Sequence, residues 1–87
     1  MMCMNFEEKI KQVVDIVTRI SDDTTVPRNI RRKATEAKSI LLKEGEDPVV
    51  RAASARMALE EVSEDPNMPI HARTQLWGAL SILETIR

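Results

Sequence analysis

The sequence predicts an all-α chain: a four-helix bundle built from two similar antiparallel helical hairpins. Three observations predict it. Apolar residues recur at helical spacing in four segments. The connections between those segments are short, which makes consecutive helices antiparallel neighbours. Finally, the stretch SDDTTVPRNIR (Ser21–Arg31) returns forty-two residues later as SEDPNMPIHAR (Ser63–Arg73).

The first segment runs from about Asn5 to Ile20. Phe6, Ile10, Val13, Val17 and Ile20 fall on one helical stripe, widened by Val14 and Ile16. Asn5 is suited to cap its amino end, and Glu7 and Glu8 suit the positive end of the helix dipole. The second segment, about Pro27–Glu44, has Ile30, Ala34, Ala37 and Leu41 inward with Ile40 beside them. Pro27 is expected at its first helical position, and Gly45 as its left-handed stop.

The third segment is about Pro48–Val62, with Asp47 as cap and Pro48 at the first position. Its apolar face is wide: Val49, Val50, Ala52, Ala53, Ala55, Met57, Ala58, Leu59 and Val62. That width predicts the most buried helix of the four. The fourth segment, about Pro69–Ile86, turns Ala72, Leu76, Ala79, Leu80, Leu83 and Ile86 inward.

Aligned at a shift of forty-two, residues 21–45 and 63–87 share eight of 25 positions. Residues 7–20 and 49–62 share none but keep the apolar register, from Ile10/Ala52 to Ile20/Val62. The chain therefore reads as hairpins of about 5–45 and 47–87. The period lies in the ~40–47 range of two-helix solenoid repeats, which makes a HEAT-like stack the alternative. Two hairpins fall short of the three a solenoid usually needs, so closure into a bundle is the expected outcome.

Eighty-seven residues allow one domain, here residues 5–87, preceded by a short terminus of residues 1–4 that is expected to be frayed. Hydrophobics at 43% and charges at 31% are a globular composition. Phe6 and Trp77 are the aromatic residues, so the core must be aliphatic. A net charge of −1 excludes a globally basic nucleic-acid binder and leaves room for a local basic patch. Cys3 is the one cysteine, so no internal disulfide can form and a reducing cytoplasm is expected. Met4 is an alternative start. No signal peptide or membrane span is read from the sequence.

Residues that could carry chemistry are few. His71 is the only histidine, and within its own helix its neighbours Thr74 and Gln75 are not strong metal ligands. The pairs Asp22–Asp23 and Glu64–Asp65 precede helices and read as caps and dipole partners. No glycine-rich phosphate loop or nucleophile motif is present, so no catalytic residue, cofactor or metal is assigned. Arg28, Arg31, Arg32 and Lys33 crowd the wrong end of a helix dipole. Arg28, Arg31 and Arg32 are the candidate anion or RNA site, against the plainer expectation that nearby carboxylates neutralise them.

Trp77 shares an arc with Ile70 and Leu80 and is expected to pack in the core, with an interface anchor as the alternative. Gly78 is expected where another helix or a large side chain crosses close, with a partner-receiving notch as the alternative. Together Trp77 and Gly78 are the candidate partner interface.

The repeated stretch has its own expected role. Val26 and Met68, each before a proline, should turn inward. Asp23 should meet Arg31 and Asp65 should meet Arg73. The alternative is that each aspartate takes first-turn amides while each arginine clamps loop carbonyls. Either way the same brace stiffens both corners.

VPRNIRR (Val26–Arg32), EDPNMP (Glu64–Pro69), Trp77 and LETIR (Leu83–Arg87) together resemble the archaeal uncharacterised protein family numbered 0147 in the UPF series. The resemblance covers nearly the whole chain after Asn5. It implies a compact helical bundle and an archaeal, cytosolic origin, and it implies no activity. The functional expectation is a small non-enzymatic interaction module that binds a protein partner or itself. An RNA- or anion-binding module stands second, and neither a membrane nor a metal is expected as a partner.

Overall fold

The computed structural model describes residues 5–87. The expectations placed on residues 1–4, including Cys3 and the start at Met4, lie outside the described residues. Four helices follow one another: α1 (Phe6–Asp22), α2 (Arg28–Leu41), α3 (Pro48–Glu60) and α4 (Ile70–Glu84). No strand occurs among the described residues. Each helix packs on its neighbour in sequence, α4 closes back on α1, and α1 also crosses α3, whereas α2 and α4 do not meet. The bundle measures 34 × 30 × 19 Å.

Local sequence explains the helix ends. The Asn5 side chain accepts from the Glu8 amide at 2.8 Å, and the Asp47 side chain accepts from the Val49 amide at 2.7 Å. α2 and α4 have no side-chain cap. Pro27 and Pro69 stand one residue before the helix, at ψ 149°, and not at the first helical position expected of Pro27 and Pro69. Proline lacks the amide that would otherwise need a partner there.

α2 stops at Leu41, three residues short of its expected end. The Leu41 carbonyl instead accepts from Arg51 Nη1 at 2.8 Å. Gly45 does hold a left-handed conformation, at φ +80°, but it does so in the turn toward α3. There a side chain would be strained.

The core is aliphatic. α1 buries Ile10, Val13, Val17 and Ile20; α2 buries Ile30, Ala34, Ala37 and Leu41. α4 buries Ala72, Leu76, Ala79 and Leu83, with Ile86 beyond its end. Val26 and Met68 are also buried. α3 departs from expectation: it buries Ala52, Ala55, Ala58 and Leu59, but Val50, Ala53 and Met57 face solvent. It is not a helix buried all round. Its apolar residues circle the whole helix, and only one side has neighbours to bury them.

Candidate functional site

The two corners that carry the repeated stretch come first. Arg31 Nε donates to the Val26 carbonyl at 3.0 Å, and Arg73 Nη2 donates to the Asp65 carbonyl at 2.9 Å. Both arginines stand four residues after a cap residue, from where a long side chain leans back over the helix start. They clamp the loop backbone and do not pair with Asp23 and Asp65 in direct ion pairs. The aspartates bond within their loops: Asp23 Oδ1 accepts from the Thr25 amide at 2.9 Å, and Asp65 Oδ1 from the Asn67 amide at 2.8 Å. First-turn helix amides are not their partners. A turn is closed more economically by the amide two residues on, within reach of a short acidic side chain.

The second oxygen of each aspartate reaches the other hairpin. Asp23 Oδ2 lies 2.7 Å from His71 Nε2, and Asp65 Oδ2 accepts from Asn29 Nδ2 at 2.9 Å. Asn29 and His71 are themselves forty-two residues apart. Each corner thus holds the first turn of the opposite hairpin's second helix. Sequence reasoning found no companion for His71. The signal was the register, which pairs His71 with Asn29 and Asp23 with Asp65.

This cluster is not a catalytic triad. The Thr25 hydroxyl donates to Asp23 Oδ1 at 2.6 Å, and the same imidazole nitrogen faces both Thr25 and Asp23. A triad needs the nucleophile on one ring nitrogen and the carboxylate on the other. The Thr25 hydroxyl and then His71 hold the Asp23 carboxyl down at about 2. Asn29 and the Asn67 amide lower Asp65 as well. A depressed carboxylate pKa favours folding above the ordinary carboxylate range, and that contribution is lost as pH falls through the folded value. Both latch carboxylates are therefore ionised at neutral pH.

A third clamp escaped the sequence reading. Arg51 Nε donates to the Glu46 carbonyl at 2.9 Å, and its Nη2 meets Glu7 Oε2 at 2.6 Å. With its bond to Leu41 it ties the α2–α3 turn to α1. The legible signal is positional: Lys9, Arg31, Arg51 and Arg73 each stand four residues after a cap residue.

The basic run divides. Lys33 turns to Glu36 at 3.0 Å and Glu61 at 3.2 Å, and those two carboxylates raise its pKa. Arg28 and Arg32 are exposed. Among the described residues, no carboxylate pairs with Arg28, Arg31 or Arg32. All three line one surface depression of about 420 Å³, together with Ser21 and Thr35.

Trp77 is 52% exposed and does not pack in the core. The centre of α4's buried stripe runs through Ala72, Leu76, Ala79 and Leu83, and the next residue after Leu76 is turned about 100° away. Ile70, seven residues before Trp77, is 81% exposed. Gly78 is exposed too, and a Cβ built on it would meet nothing within 4 Å, so no helix crosses close there. Val50 and Met57 give α3 a similar outward pair.

Among the described residues, no group of three or more His, Cys, Asp or Glu is placed to hold a metal ion. No helix among them is long and apolar enough to cross a membrane.

Fold and surfaces together define a small all-α bundle of two latched hairpins. The chain belongs to the uncharacterised protein family UPF0147, which it matches over residues 1–86. It is 53% identical over 81 residues to a UPF0147 protein of the archaeon Methanocaldococcus jannaschii, covering 93% of this chain and 87% of that one. It is 54% identical over 81 residues to a UPF0147 protein of Saccharolobus solfataricus, covering 93% and 91%. Its fold is similar to the crystal structure of a protein of unknown function, MMP1188, with a TM-score of 0.91 and 47% identity. That match covers 100% of this chain and 99% of the other.

Proposed function

We propose that this chain is a non-enzymatic interaction module of the archaeal cytoplasm that docks a protein partner, or a second copy of itself, through the outer face of its second hairpin. One observation carries the reading. Val50, Met57, Ile70 and Trp77 are exposed on α3 and α4, whereas the described part of the first hairpin exposes one large hydrophobic residue, Leu42, at the end of α2. The seven-residue spacing within each pair sets two apolar side chains along one side of each helix. Four large apolar side chains left uncovered on two consecutive helices favour an interaction role. Gly78 beside Trp77 adds a low point that would let a partner approach the indole. The shared register of the hairpins fits an internal duplication, after which one copy acquired this outer face.

Trp77 is the only tryptophan, so its emission reports directly on whether this face is covered. Affinity-tagged chain should be purified from native cells as wild type and as Met57→Ser/Trp77→Ser. The expected result is a stoichiometric protein that co-purifies with the wild type alone and shifts Trp77 emission to the blue when added back. Self-association would show the same shift with rising concentration, alongside a dimer in sedimentation. Identical co-purifying proteins for both variants, with a monomeric wild type, would overturn the reading.

A further inference from the structure

The outer face of α2 differs from every other outer face in the bundle. Arg28, Arg31, Arg32, Thr35, Lys38 and Ser39 share one side of the helix, opposite the buried Ile30, Ala34, Ala37 and Leu41. From Arg28 to Ser39 that side spans about 16 Å of helix axis. It carries four cations, two hydroxyls and one exposed carboxylate, Glu36, which stands four residues after Arg32 and is engaged by Lys33 at 3.0 Å.

Four cations against one carboxylate is a one-sided composition for a solvated helix face. Like charges sit three and four residues apart, and Arg28 and Arg32 oppose the dipole with no carboxylate partner among the described residues; both arrangements destabilise the helix. The strip is also a local departure from a chain whose net charge is −1. At its amino end lies an open surface depression of about 420 Å³ whose lining contains three arginines, two hydroxyls and no acid. Arg31 keeps its Nε on the Val26 carbonyl, which fixes the guanidinium and leaves its outer edge as donor.

We propose that the outer face of α2 binds the phosphodiester backbone of a nucleic acid strand. Forked guanidinium donors match phosphate oxygens in shape as well as charge. Cations repeated along the strip suit a chain of phosphates better than a single anion. α2 carries no aromatic residue, so no base can stack on it, and recognition is of the backbone without regard to sequence. This site rests on observations separate from the apolar face of α3 and α4.

The experiment is a salt-dependent titration of a fluorescently labelled, mixed-sequence single-stranded RNA. For single strands each phosphate contact contributes about −0.7 to the log–log salt slope. Four contacts therefore predict a slope of about −2.8 and about fifty-fold weaker binding at 200 mM than at 50 mM salt. Arg28→Gln/Arg32→Gln should halve the slope, leaving a roughly sevenfold loss over the same range. Arg31 is left intact because it holds the corner. Circular dichroism should show unchanged helicity in the variant.

Lys11→Gln/Arg19→Gln removes the same charge from α1 and should keep wild-type affinity, as should Trp77→Ser. DNA of the same length should bind as RNA does. Absence of binding at 50 mM salt, an equal loss in the α1 variant, equal binding of polyglutamate, or a strict requirement for RNA would each overturn the proposal.

Discussion

The hairpin α1–α2 and the hairpin α3–α4 bury side chains at positions forty-two residues apart: Ile10 and Ala52, Val13 and Ala55, Val17 and Leu59, Ile20 and Val62. The series continues through Val26 and Met68, Ile30 and Ala72, Ala34 and Leu76, Ala37 and Ala79, and Leu41 and Leu83. The residue sizes are not conserved along with the positions. α1 supplies branched side chains where α3 supplies alanines, and α1 crosses α3 directly. Two helices cross closely only where one of them is slim, so the asymmetry fills the shared space at native density. Between α2 and α4, which do not meet, the sizes differ in both directions: Ile30 matches Ala72 in register, and Ala34 matches Leu76.

The outer faces diverge more sharply. α1 and α2 are amphipathic, with charged residues outward. α3 and α4 carry apolar residues on both sides. The lesson is that the inward pattern obeys packing, whereas the outward pattern is free to serve something else. A pair of equivalent cavities tests the inward half of this comparison. Leu41→Ala and Leu83→Ala should each cost about 2–5 kcal/mol in urea unfolding, within about 1 kcal/mol of each other, because both sites are sealed. A gap of more than about 2 kcal/mol would mean that one hairpin dominates the core.

The corners give a smaller effect and a finer comparison. Arg31 and Arg73 each donate one charged hydrogen bond to a loop carbonyl, so Arg31→Ala and Arg73→Ala should each cost about 1.5–3 kcal/mol. Arg51 serves two carbonyls and the Glu7 carboxylate from an 11% exposed side chain. Arg51→Ala should therefore cost more, about 3 kcal/mol or above. Lysine at this position should restore little, because one ammonium cannot reproduce the planar fork. Equal losses at all three positions would show that the α2–α3 turn is no more firmly tied than the corners before α2 and α4.

Much of this was legible in the sequence. The apolar period set all four helices, and the buried stripes of α1, α2 and α4 follow it, except that Phe6 and Leu80 are only half-buried. Asn5 and Asp47 announced their caps. What was not legible depended on neighbours that the sequence does not order in space. The width of α3's apolar face looked like burial, because composition records hydrophobicity and not which side has company. Trp77 was read inward for the same reason. The arginines at the α2 start look like violations of the dipole, but Arg31, like Arg73 at the α4 start, gains a loop carbonyl as partner. The Asp23–His71 and Asp65–Asn29 links join residues 48 and 36 apart, and only the shared register pointed to them.

The smallest predicted effect lies at one more equivalent pair, Glu36 and Gly78. Position 36 carries a side chain that pairs with Lys33; position 78 carries none. A Cβ at Gly78 would meet no atom within 4 Å, and the residue sits inside helix α4 with no positive φ to require glycine. Gly78→Ala should therefore stabilise the chain by about 0.4–1 kcal/mol, by restricting the unfolded backbone and improving helix propensity. Gly45→Ala is the control and should destabilise, because φ +80° strains a side chain however open the surroundings. If glycine persists at 78 against this gain, the gain is being traded for access to Trp77. The decisive readout is then double: Gly78→Ala should raise the urea midpoint and weaken capture by the proposed α3–α4 interface. A raised midpoint with capture unchanged would separate Gly78 from the interface and leave Trp77, Met57, Val50 and Ile70 to carry it alone.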